Sequence, residues 1–294
     1  MRVLYATDGS AQAELAGDLI AGIGWPHGSV VRIASAVDTG AVFFGVPWAP
    51  AVPASMDAVE DRLSGDSERA VKEAAQRLAA AGIETECWVL KGRPASVIVD
   101  EAAQWRADVI VMGSRGHGEI ASMLLGSVSS EVVDHAPCPV LVARRSRLTR
   151  AVLGHDGSDC ARHAESVISR WPIFDNVAIE VVDVAPAGVG WSTVTQATYA
   201  GSVEPYLEAV RATRLADEDV AEAAASRLRS AGRSASASVA QGAPATELIR
   251  SADKHAAELI IVGTRGRTGL RRLVLGSVAR NVLHHASCSV LIVR

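Results

Sequence analysis

Short apolar runs alternate along the chain with longer stretches whose apolar residues recur at helical spacing, the pattern of parallel strands joined by crossover helices. In the first half, residues 3–6 (VLYA) predict a strand. A helix is expected after Asp8-Gly9-Ser10, capped by the Ser10 hydroxyl and running to about residue 23, before the Gly24-Trp25-Pro26 break. Residues 30–37 predict a second strand. A helix over 61–81 stops at Gly82, and Ile83, Thr85, Cys87 and Val89 then alternate as a third strand ended by Gly92. Helix over 95–104, buried strand over 109–112, helix over 128–135 and a last strand over 140–143 follow. The second half predicts strands over 151–153, 178–184, 235–239, 259–262 and 290–293. Its helices fall over 159–170, up to Gly232, over 245–252 and over 278–285. Residues 39–58 and 187–205 read as long loops. The most apolar stretch, 40–56, is interrupted by Pro47, Pro50 and Pro53, so it predicts no membrane span.

The two halves are copies of one unit. Asp8-Gly9-Ser10 recurs as Asp156-Gly157-Ser158, and Gly92-Arg93-Pro94-Ala95 as Gly242-Ala243-Pro244-Ala245. Residues 113–144 match 263–294 without a gap. The offset is 148 at the first motif and 150 from Gly82 and Gly232 onward, and the boundary falls in the basic run 144–150. The domains are therefore expected at 1–146 and 147–294. The last strands of the two halves, short apolar runs at a sheet edge, are expected to pair the halves into an intramolecular pseudo-dimer. A homodimer of the whole chain is compatible with the sequence but marked by no motif.

Composition narrows the class. With 49% hydrophobic and 21% charged residues among 294, the chain can bury two cores, which excludes a disordered or fibrous protein. A net charge of -4 and pI near 6.1 give no basic footprint for nucleic acid or an anionic membrane. The opening MRVLYATDGS reaches Asp8 without the apolar core of a signal peptide, so a cytoplasmic location is expected. Cys87, Cys138, Cys160 and Cys288 lie far apart with no C-x-x-C pair, as for reduced thiols acting as small buried hydrophobes.

Candidate chemistry gathers where the fourth strand of each half ends. Gly113-Ser114-Arg115-Gly116, nine residues, then Gly126-Ser127 is matched by Gly263-Thr264-Arg265-Gly266, nine residues, then Gly276-Ser277. Glycines let the backbone approach a ligand, and inward-turned amides make an anion nest for which phosphate is the obvious guest. Ser127 and Ser277, followed by Val128 and Val278, each open a helix and add a hydroxyl and a positive helix end. The loops differ: His117-Gly118-Glu119 follows in the first, Arg267-Thr268-Gly269 in the second, with Arg271 and Arg272 beyond. The more basic second loop predicts tighter binding of a phosphate-bearing ligand there, with a steeper loss as salt rises.

Absences remove other readings. The chain has no Gly-Lys step for a P-loop, no G-x-G-x-x-G after the first strand, no G-x-S-x-G elbow, and no H-E-x-x-H or Cys/His ligand set. No catalytic or metal-ligating residue is assigned. His284 and His285 close a helix, and His117 and His155 read as solvent-facing loop histidines.

The duplicated motif resembles the universal stress protein family, in particular its tandem-domain, ATP-binding members, over nearly the whole chain except 39–58 and 187–205. The resemblance implies an α/β fold of two tandem doubly wound five-stranded parallel-sheet domains, adenine nucleotide alpha hydrolase-like, with nucleotide over the carboxyl ends of the strands. It implies that Asp8 and Asp156 contact ribose or phosphate, with Ala6 and Gly154 close beneath. It also implies an adenine contact on a backbone edge at Ala36, Val37 and Val184, where the family often carries a histidine and this chain has Ser35 and Asp183. Residues 113–118 and 263–269 would cradle the phosphates. The function expected is a cytoplasmic nucleotide-dependent stress-response sensor or regulator, with ATP as ligand and Mg²⁺ as its accompanying ion. The alternatives are a slow ATP hydrolase or autophosphorylating protein, and a nucleotide-free interaction protein.

Overall fold

In a computed structural model the chain is described over residues 1–38, 53–116, 125–185, 203–266 and 275–294. It divides into two units, Met1–Leu148 and Thr149–Arg294. The first holds β1 (Arg2–Ala6), α1 (Ala11–Gly22), β2 (Val30–Val37), α2 (Pro53–Ala80), β3 (Glu84–Lys91), α3 (Pro94–Trp105), β4 (Val109–Gly113), α4 (Ser127–His135) and β5 (Val140–Ala143). The second repeats the series as β6 (Arg150–Gly154), α5 (Asp159–Arg170), β7 (Ala178–Ala185), α6 (Val203–Ser230), β8 (Ser234–Gln241), α7 (Pro244–Lys254), β9 (Leu259–Gly263), α8 (Ser277–His285) and β10 (Ser289–Val293). Pro172–Phe174 adds a 3-10 turn. The two long helices start earlier than periodicity predicts: Pro53 and Val203 lie inside the expected loops, and Pro53 at the first position of one and Pro205 at the third of the other cost no intrahelical hydrogen bond, since first-turn amides have no partner within the helix.

Within the first unit the strand order is β3-β2-β1-β4-β5 and within the second β8-β7-β6-β9-β10, every neighbouring pair parallel. The chain runs outward from β1 through β2 to β3 and returns to β4 on the other side of β1. The carboxyl ends of β1 and β4, and of β6 and β9, therefore flank the crevice where the winding reverses, which is where such sheets take ligands. β1, β4, β5, β9 and β10 are apolar and buried along nearly their whole length, as strands covered by helices on both faces must be. The edge strands β3 and β8 mix half-buried and exposed positions instead, with none fully buried. Cys138 and Cys288 are buried as expected, but Cys87 is exposed because its edge strand is covered less completely.

One polar cluster belongs to the first unit alone. The Arg32 guanidinium lies between the Trp88 and Trp105 rings, 4.6 and 4.3 Å from their centroids, and donates to Glu86 (2.8 Å) and Glu101 (2.6 Å). The matching positions of the second unit hold Glu180, Ser238 and His255, so nothing comparable forms. A planar five-donor group fits this slot and an ammonium does not. Arg32→Lys is expected to lower the stability of the first unit by about 1 to 2 kcal/mol, read as a shift in the urea midpoint.

Candidate functional site

The residues after β1 and β4 converge. Ser10 caps α1, its Oγ accepting the Ala13 N–H (3.3 Å) while its hydroxyl donates to the Arg115 carbonyl (3.3 Å). Asp8 Oδ1 accepts the Ser10 N–H (3.0 Å), and Gly9 between them takes φ +78°, a conformation glycine holds without strain. The other Asp8 oxygen faces the glycine loop: a Cβ on Gly116 would fall 2.2 Å from Oδ2. The second unit builds the same knot. Ser158 Oγ accepts the Ala161 N–H (3.2 Å) and donates to the Arg265 carbonyl (3.4 Å), Asp156 Oδ1 accepts the Ser158 N–H (3.0 Å), and a Gly266 Cβ would fall 2.6 Å from Asp156 Oδ2.

The glycine loops return to their starting strands. The Gly126 N–H donates to the Ser114 carbonyl (2.8 Å) and the Gly276 N–H to the Thr264 carbonyl (2.7 Å), so each nine-residue excursion is pinched shut at its base. Gly126 and Gly276 then stand as N-caps of α4 and α8 and, having no side chain, give the first-turn amides from Ser127 and Ser277 no capping hydrogen bond of their own. Ser129 Oγ donates to the Gly113 carbonyl (2.9 Å) and so braces the first loop; Ala279 replaces it in the second.

Not every expected site residue lines the crevice in the same way. Gly113 and Gly263 are packing positions: a Cβ on Gly113 would meet the backbone of Gln12 and Ala13 at 2.6 to 2.7 Å, and one on Gly263 would meet Cys160 at 2.7 to 2.9 Å. Ser114 and Thr264 are buried at 2% and 3% exposure, whereas Arg115 is half-buried and Arg265 exposed. Ala6 is buried and Gly154 lies against Leu248, where a Cβ would come within 2.8 Å. Ala36 and Val184 are half-buried at the ends of β2 and β7, and Val37 is buried. His117, Gly118, Arg267 and Gly269, with Arg271 and Arg272, lie outside the described residues.

His155 corrects the sequence expectation. It is 3% exposed rather than solvent-facing, because its N–H extends the β6–β7 ladder by donating to the Val182 carbonyl (3.0 Å). Gly154 faces α7, so strand alternation turns His155 to the opposite face, toward α5 and α6. There its Nε2 lies 3.1 Å from Glu165 Oε2, and Arg227 grips the same carboxylate at 2.7 and 2.8 Å. The matching positions of the first unit are Thr7, Gly17 and Arg77; Gly17 leaves room for the Tyr5 hydroxyl, which donates to the Ala13 carbonyl (2.6 Å), and Arg77 pairs with Glu14 and Asp18. Aligning the two repeats position by position exposes this exchange, which neither half shows alone.

Burial pushes the Glu165 carboxyl up, but Arg227 and the adjacent imidazole outweigh it and bring the carboxyl down to about 2. A folded value below the unfolded one adds stability that is complete above about pH 4.5 and lost as pH falls toward 2. The second unit is expected to lose on the order of 2 to 3 kcal/mol over that window, a slope that Glu165→Gln removes in acid-denaturation curves.

The geometry is that of a doubly wound α/β protein with the base of a glycine loop at each switch point. The chain belongs to the universal stress protein family, whose model, described as "Universal stress protein family", matches residues 1–144 and 147–294. A universal stress protein of Thermus aquaticus is 36% identical over 143 residues, 48% of this chain and 97% of that protein. One of Mycolicibacterium smegmatis is 28% identical over an alignment of 310 positions, covering 99% of this chain and 96% of its own. The crystal structure of a universal stress protein from Archaeoglobus fulgidus superposes with a TM-score of 0.66 over 100% of this chain and 98% of its own, at 18% identity, and shares the fold. No helix among the described residues is long and apolar enough to cross a membrane.

Proposed function

We propose that each unit binds ATP in its glycine cradle and that the chain acts in the cytoplasm as a nucleotide-dependent sensor or regulator of the stress response. The observation that carries this reading is the convergence of an aspartate after the first strand with a side-chain-free position of the glycine loop, Asp8 with Gly116 and Asp156 with Gly266, at the switch point of each sheet. A fixed carboxylate suits ribose hydroxyls, which donate to it. The loop amides and the uncapped ends of α4 and α8 suit phosphate oxygens, which accept from them.

Mg²⁺ would enter with the triphosphate, supplying charge neutralisation between phosphate oxygens. Among the described residues no group of three or more His, Cys, Asp or Glu side chains could hold a metal ion. Incubation of pure protein with γ-labelled ATP tests the reading. Retained nucleotide without free phosphate supports a sensor; released phosphate or labelled protein would instead make the chain a slow hydrolase or autokinase. Absence of retention would contradict nucleotide binding altogether.

A further inference from the structure

The ends of β2 and β7 offer the two pockets different hydrogen-bonding edges. In a parallel ladder, successive residues address opposite neighbours. The Ala34 carbonyl accepts the Thr7 N–H on the β1 side (2.9 Å), and the Val37 carbonyl accepts the Gly92 N–H on the β3 side (3.0 Å). Ala36 therefore addresses the β1 side, just past the last ladder bond, at the mouth of the crevice. Its N–H makes no hydrogen bond to another described residue. The first pocket thus shows an adjacent donor and acceptor, the N–H and C=O of one residue.

The second unit has the same ladder. The Val182 carbonyl accepts the His155 N–H (3.0 Å) on one side and the Ala185 carbonyl accepts the Gly242 N–H (3.0 Å) on the other, so Val184 addresses the crevice. Here the N–H is taken. Asp183, which replaces Ser35 and is 3% exposed, places Oδ1 2.8 Å from the Val184 nitrogen and accepts its hydrogen. The edge presented to a base becomes an acceptor beside an acceptor.

Building on the nucleotide reading above, we propose that Asp183 is a specificity-determining residue: the first pocket selects adenine, while the second holds nucleotides through their phosphates with little preference for that base. Adenine offers a ring-nitrogen acceptor next to an exocyclic amino donor, which matches the Ala36 edge in both partners. At Val184 the amino group still finds a carbonyl, but the ring nitrogen meets a carboxylate oxygen instead of an N–H. A polar group left without its partner in a closed pocket costs enough to lower affinity about 10- to 100-fold.

Titration calorimetry with ATP and with inorganic tripolyphosphate measures the two ends separately. Gly116→Val leaves the second pocket to be read alone, and Gly266→Val the first. The expected result is an ATP-over-tripolyphosphate preference about 10- to 100-fold larger in the first pocket. Asp183→Ser is expected to raise ATP affinity of the second pocket about 10-fold with tripolyphosphate affinity unchanged. Ser35→Asp, the mirror exchange, is expected to erase the preference of the first pocket and serves as the test should Asp183→Ser destabilise its unit. Equal preferences in the two pockets, or exchanges that leave them unchanged, overturn the assignment of Asp183 while leaving nucleotide binding intact. Failure of both pockets to bind either probe overturns the assignment together with the reading it rests on.

Discussion

Replacing Gly116 by valine is expected to weaken ATP binding to the first pocket by about 10- to 1,000-fold without unfolding it, and Gly266→Val to do the same to the second. The new Cβ would stand 2.2 Å from Asp8 Oδ2 in one case and 2.6 Å from Asp156 Oδ2 in the other. In both cases the obstructed atom is the end of a side chain, which can rotate away at little cost to the fold. Rotation removes the carboxylate from its Ser10 or Ser158 amide, and the valine methyls fill the space where loop amides meet phosphate. Loss of one charge-assisted hydrogen bond worth about 1.5 kcal/mol, or of two worth about 2 kcal/mol each, gives the expected range. Calorimetry beside a thermal melt checks both halves of the statement. A normal melt with undiminished affinity removes these loops from the site.

The neighbouring glycines are expected to behave in the opposite way. Gly113→Val should destabilise the first unit by about 4 kcal/mol or more, because its Cβ would lie 2.6 Å from the Gln12 carbonyl carbon and 2.7 Å from the Ala13 nitrogen. Those are main-chain atoms of α1, and only a displacement of the helix from β4 relieves them. Gly263 meets Cys160 of α5 in the same manner. Urea unfolding of the first unit should show a lower midpoint with an unchanged slope. A loss under 1 kcal/mol would mean that α1 is not seated on β4 as described. Two glycines three residues apart thus have separable duties, Gly113 to let a helix approach a strand and Gly116 to leave room before a carboxylate.

Much of this was legible in the sequence because the relevant signals are local. The apolar runs of β1, β4, β5, β9 and β10 stand out from amphipathic helices, and Ser10 and Ser158 cap α1 and α5 as their position predicts. Duplication supplied what one copy could not, since each glycine loop was seen twice at the same spacing. What escaped was tertiary. Nothing in HDGS says that His155 turns inward, because its direction follows from one additional ladder bond to Val182 and from a glutamate ten residues on. The starts of α2 and α6 were hidden by prolines that punctuate loops as readily as they open helices. The separate duties of Gly113 and Gly116 depend on which atoms lie opposite each Cα, which spacing alone does not contain.

Calorimetric titration of the full chain with ATP, repeated on Gly116→Val, Gly266→Val and the double substitution, tests the central claim most directly. The account predicts saturable binding by the unmodified chain, one component weakened about 10- to 1,000-fold by each single substitution, and both components weakened in the folded double variant. Absence of ATP binding in the unmodified chain, or undiminished affinity in a folded double variant, would contradict it.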